Sequence, residues 1–116
     1  MIDDREALES IASDMYANSS VDWPYDSICI ELGSRRGAIT LHVYPYREND
    51  YAFMLAVKYG IAFETDLVNR CVIVNGEAHS YDGSKFGGCS DPEGVARHAI
   101  AHAAANIIKV RQHGRN

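Results

Sequence analysis

A chain of 116 residues, 47% apolar and 23% charged, with a formal charge of -5, is too short for two ordinary domains and too apolar to stay disordered. A domain of this size buries roughly two-thirds of the surface its unfolded form exposes, so a core forms without a structural metal or disulfide framework. No run approaches the ~20 apolar residues of a membrane span, and the net acidity is too mild to suggest a DNA-mimicking surface.

Three cysteines, Cys29, Cys71 and Cys89, lack CxxC spacing, and two lie in apolar runs where a thiol packs as a small hydrophobe. Met1-Ile2-Asp3-Asp4 carries acid where a secretory signal needs a basic start. The expected location is the cytoplasm. Charge is uneven along the chain: the first fifty residues hold ten acids against four Lys/Arg, and the remainder six acids against seven Lys/Arg with four of the five histidines.

Residues 3–17 place Leu8, Ile11, Ala12 and Met15 on one helical face, with Asp3 as N-cap and Glu6 three residues on. Asn18-Ser19-Ser20 ends this helix, and Trp23-Pro24-Tyr25 forms a stiff aromatic connector. A strand follows over 27–32, with Ile28, Ile30 and Leu32 on one face. Gly33 to Gly37 supplies a loop carrying Arg35 and Arg36, and 38–46 returns with Ile39, Leu41 and Val43 inward and Thr40, His42, Tyr44 and Tyr46 outward.

Tyr51 to Tyr59 is apolar at nearly every position, so periodicity cannot separate strand from helix; aromatic and β-branched content favours a buried central strand, with a short helix as the competitor. Ile61 to Thr65 reads as a further short strand, and Asp66 to Arg70 turns the chain. Cys71 to Val74 leads into Asn75-Gly76, a type I′ hairpin signal, with Glu77 to Tyr81 returning. A glycine-rich stretch, 82–90, precedes a second helix capped by Ser90 or Asp91 with Pro92 in its first turn. Ala96, Ala99, Ile100, Ala103, Ile107 and Val110 form its inner side, and His98, His102, Asn106, Lys109 and His113 its polar side. The expectation is a single α+β domain over 1–116: a two-layer sandwich with an N-terminal helix, an antiparallel sheet of four or five strands and a C-terminal helix, both helices on one sheet face.

Catalytic signatures are weak. His98 and His102 have the i, i+4 spacing of metal ligands but lack an HExxH pattern or a third ligand, so they read as solvated histidines, and no metal is expected. Cys89, just before a helix start, is a conceivable nucleophile, but it matches no cysteine-hydrolase signature. The expected protein is not an enzyme and carries no cofactor.

Two binding surfaces remain. The outward row His42, Tyr44 and Tyr46, with Arg47, Arg35 and Arg36, sets aromatic planes beside guanidinium groups and suits a protein partner or unstacked bases. The loop Lys85, Gly87, Gly88 and Ser90 with Arg97 offers backbone amides and cations to a small ligand or nucleotide, though neither GxxxxGK[ST] nor GxGxxG occurs. Val72-Ile73-Val74-Asn75-Gly76 and Ala103-Ala104-Ala105 resemble the closing hairpin and alanine-rich helix of the double-stranded-RNA-binding module, but this chain is not assigned to that family. It departs where that module has a lysine cluster, which Ser90-Asp91-Pro92-Glu93 replaces.

The preferred expectation is therefore a small non-enzymatic binding protein that inhibits or regulates a protein partner, the class that includes phage-encoded inhibitors of bacterial defence complexes, antitoxins and immunity proteins. A small-ligand or nucleotide binder is the first alternative and a nucleic-acid-binding module the second. Free sheet edges make a homodimer conceivable, and no membrane association is expected.

Overall fold

Asp3 accepts a hydrogen bond from the Glu6 amide at 2.8 Å and opens helix α1, Asp4–Met15, whose Ala7, Leu8, Ile11 and Ala12 are buried, as the apolar spacing requires. The computed structural model describes residues 2–33, 37, 39–82 and 91–113. After α1 comes strand β1, Ser19–Asp22, then a 3₁₀ turn over Trp23–Tyr25 that Asp26 closes in the left-handed region at φ 54°. Strand β2, Ser27–Leu32, pairs antiparallel with both β1 and β3, Ile39–Val43, giving a sheet of order β1-β2-β3.

The segment expected as a central strand is instead helix α2, Asn49–Tyr59. Ala52, Leu55 and Ala56, spaced i, i+3 and i+4, are its buried residues, and Gly60 terminates it at φ 66°, a conformation that glycine adopts without Cβ strain. The apolar run hid this periodicity because Phe53 and Val57, on the outer side, are apolar too and remain exposed.

Strands β4 (Phe63–Asp66), β5 (Cys71–Val74) and β6 (Glu77–Ser80) form a second antiparallel sheet of order β4-β5-β6. Asn75 and Gly76 both have positive φ, as the hairpin signal required. The Asp66 carboxylate accepts from the amides of Val68 and Asn69 and turns the chain between β4 and β5. Two three-stranded sheets thus replace the single sheet of four or five strands, because α2 is inserted between β3 and β4 and directs the later strands into a separate ladder.

Helix α3, Pro92–His113, begins at Asp91, whose carboxylate accepts from the Gly94 amide. It packs against α1, α2 and the β5–β6 hairpin. With neighbours on several sides it buries more of its circumference than one stripe: Val95, His98, Ala101, Ala104, Ala105 and Ile108 join Ala99 and Ile100 in the interior, while Val110 is exposed. α1 rests on β1 and β2 as well as on α3, so the two helices join the two sheets. Among the described residues, no helix is long and apolar enough to cross a membrane.

Candidate functional site

The first region is the sheet β1-β2-β3. Its cross-strand pairs Ile28↔Val43, Ile30↔Leu41 and Leu32↔Ile39 place the apolar side chains on one face. Ile28 and Ile30 are buried. Towards the hairpin that cover ends, and Leu32, Ile39 and Leu41 are 47%, 62% and 45% exposed. β3 pairs only with β2, so its other edge has no strand beside it among the described residues. On the opposite face His42 lies across from Cys29, with Nδ1 3.3 Å from Sγ.

Of the row expected to point outward, Thr40 and His42 are exposed and Tyr44 is half-buried. Tyr46 is buried, at 3% exposure. The alternation fails because β3 ends at Val43 and the chain turns, with the amides of Arg47 and Glu48 both donating to the Tyr44 carbonyl. Arg47 is exposed, 3.7 Å from the Asp26 carboxylate and 5.8 Å from the Tyr44 ring centroid. Arg35 and Arg36 lie outside the described residues, as do Lys85, Gly87, Gly88, Ser90 and Cys89. Arg97 is half-buried and joins structural groups: Nε donates to the Tyr46 carbonyl at 2.7 Å and Nη1 to Asn49 Oδ1 at 2.6 Å.

The second region brings Asp4, Tyr46, His98 and His102 together. The Tyr46 hydroxyl donates to the Asp4 carbonyl at 2.5 Å, and the Tyr46 ring stacks on the His98 imidazole. His98 is buried. Its Nδ1 lies 2.9 Å from the Gly94 carbonyl, an acceptor, so Nδ1 carries the proton, and Nε2 sits 3.9 Å from Asp4 Oδ2. His102 Nε2 lies 2.7 Å from Asp4 Oδ1 and donates to it.

The electrostatics follow from these contacts. The His102 hydrogen bond holds the Asp4 carboxyl below its ordinary value, against partial burial that works the other way. Burial pushes His98 down, with the Gly94 carbonyl and Asp4 opposing. Burial also drives the Tyr46 phenol upward, so it remains a hydrogen-bond donor. Sequence reasoning put both histidines in solvent. The missed signal lies in α3 itself, whose alanines at 99, 101, 103, 104 and 105 run around the helix and leave no wholly polar side.

The Asp4–His102 pair opens into a groove of about 1000 Å³ between the start of α1, the β5–β6 hairpin and α3. Trp23, Val74, Ala99, Ala103 and Ile107 supply its apolar walls, and Glu77, His79 and Asn106 join Asp4 and His102 as polar groups. Among the described residues no group of three His, Cys, Asp or Glu side chains is arranged to hold a metal ion. Comparison with family models, characterised proteins and solved structures returned no match to this chain.

Proposed function

We propose that the protein is a non-enzymatic binding protein that inhibits or regulates another protein, and that it docks that partner along strand β3. The observation that carries this reading is the edge strand itself. Ile39 and Leu41, with Leu32 beside them, expose apolar side chains next to a row of backbone groups that no strand covers among the described residues. Such an edge is a template for strand addition, in which backbone hydrogen bonds supply affinity and alternate side chains supply selectivity. His42, on the other face of the same strand, and Arg47, just beyond it, extend the surface with polar contacts. The net charge of -5 makes two copies repel and favours a partner of a different kind.

The test uses the protein as bait in bacterial lysate beside a matched Leu41→Lys bait, with bound proteins identified by mass spectrometry and each bait sized by light scattering. One stoichiometric partner on the native bait, lost on a variant that melts at the same temperature, is the expected result. Equal recovery on both baits, or a native dimer that Leu41→Lys dissociates with no other protein bound, overturns it.

A further inference from the structure

We propose that the Cys29–His42 pair, on the outer face of the β1-β2-β3 sheet, is a site of covalent modification by low-molecular-weight disulfides, which leave a mixed disulfide on Cys29. The chemistry belongs to the face opposite Ile39 and Leu41 and does not depend on the reading given to the β3 edge.

The sheet register builds the pair. Cys29 on β2 and His42 on β3 are direct cross-strand partners, and Nδ1 lies 3.3 Å from Sγ. A thiol donates and an imidazole nitrogen accepts, so the Sγ hydrogen is directed at Nδ1. A reagent also has access: Cys29 is half-buried rather than enclosed, His42 is exposed, and Ser20, Glu31 and Thr40, the further neighbours towards the hairpin on this face, are exposed too. Cys71 differs on both counts. It is 8% exposed, and the residues opposite it are Asp66 and Ser80.

The step balances without a further oxidant. His42 Nδ1 takes the Sγ proton, and the Cys29 thiolate, the nucleophilic form of the group, attacks one sulfur of the small disulfide. A bond forms between Sγ and that sulfur as the bond between the two reagent sulfurs breaks. The departing thiolate takes the proton from His42 and leaves as a free thiol. One disulfide is consumed and one is made, and the reverse exchange with excess thiol restores Cys29. A nucleophile with its proton acceptor already in hydrogen-bond reach is the arrangement that activates a thiol for this attack.

The test follows the reaction with 2-hydroxyethyl disulfide, an uncharged probe whose approach is indifferent to the protein's net charge, at neutral pH in folded and in urea-unfolded protein. Peptide mass mapping reads Cys29, Cys71 and Cys89 separately. A free cysteine is only a few per cent thiolate at neutral pH, so an acceptor held at Sγ is expected to make Cys29 react roughly tenfold faster in the folded protein than in the unfolded chain. Partial burial without assistance gives the opposite order, and Cys71 supplies that reference. His42→Gln is expected to remove the acceleration of Cys29 while leaving its unfolded rate and the melting temperature unchanged. The comparison of folded with unfolded native protein stands without any substitution. A folded Cys29 that reacts no faster than the unfolded one, or an acceleration that survives in folded His42→Gln, overturns the proposal.

Discussion

The rings of Tyr46 and His98 lie 4.0 Å apart and within 5° of parallel, stacking the turn after β3 directly on the buried side of α3. The same tyrosine donates its hydroxyl to the Asp4 carbonyl, so one side chain joins the start of α1, the middle of the chain and the last helix. Tyr46→Phe keeps the stack and deprives a carbonyl of its donor. A loss of about 1–2 kcal/mol in urea unfolding is expected, and about 3–5 kcal/mol for Tyr46→Ala, which also leaves a cavity.

Stability is expected to fall in two stages as pH decreases. Burial holds the folded His98 below its ordinary 6.5, so beneath that pH the unfolded chain binds more protons than the folded one, and stability declines through the folded value. The hydrogen bond from His102 holds Asp4 below 3.8, so its contribution is full above 3.8 and is lost as pH falls further. Urea titrations from pH 7.5 to 3 on the native protein and on His98→Phe separate the stages. The variant keeps the stack and is expected to lose the upper decline alone.

Arg97 bridges the Tyr46 carbonyl and Asn49 with a fork that an ammonium cannot reproduce. Arg97→Met is expected to cost about 1–3 kcal/mol by leaving those acceptors without their donor, and Arg97→Lys to recover only part of that loss. Thermal melts of the two variants side by side give the comparison.

Ser27 begins β2 with its hydroxyl buried and without a hydrogen-bond partner among the described residues. Removing a buried hydroxyl of this kind lifts a desolvation penalty, so Ser27→Ala is expected to stabilise the protein by about 1 kcal/mol. A lower melting temperature in the variant contradicts this.

The elements legible in the sequence are those whose signals are local. The Asp3 cap and apolar spacing of α1, the alternation of 27–32, the Asn75-Gly76 turn and the start of α3 at Asp91-Pro92 each need only a few neighbouring residues, and each stands where it was expected. β1 was hidden because Ser19-Ser20-Val21-Asp22 offers one β-branched residue and no alternation; its pairing with β2 makes it a strand. The sequence of α2 favours a strand over the competing helix because its outer side is as apolar as its inner one. Tyr46 follows the outward alternation of 40–44 in sequence but lies past the end of β3, where the chain turns and buries it. The Asp4–His102 pair joins residues 98 positions apart, and no window along the chain contains both.

The docking of α1 on α3 also sets an order of events during synthesis. Leu8 and Ile11 emerge early, yet much of the surface that covers them belongs to a helix translated about ninety residues later. At roughly 5–20 residues per second, α1 waits several seconds for α3, with only β1 and β2 available to cover part of its apolar stripe, although a helix itself forms within about a microsecond. Closure of Asp4 on His102, of Glu6 on Lys109 and of Asp14 on Arg111 therefore belongs to the last stage of folding.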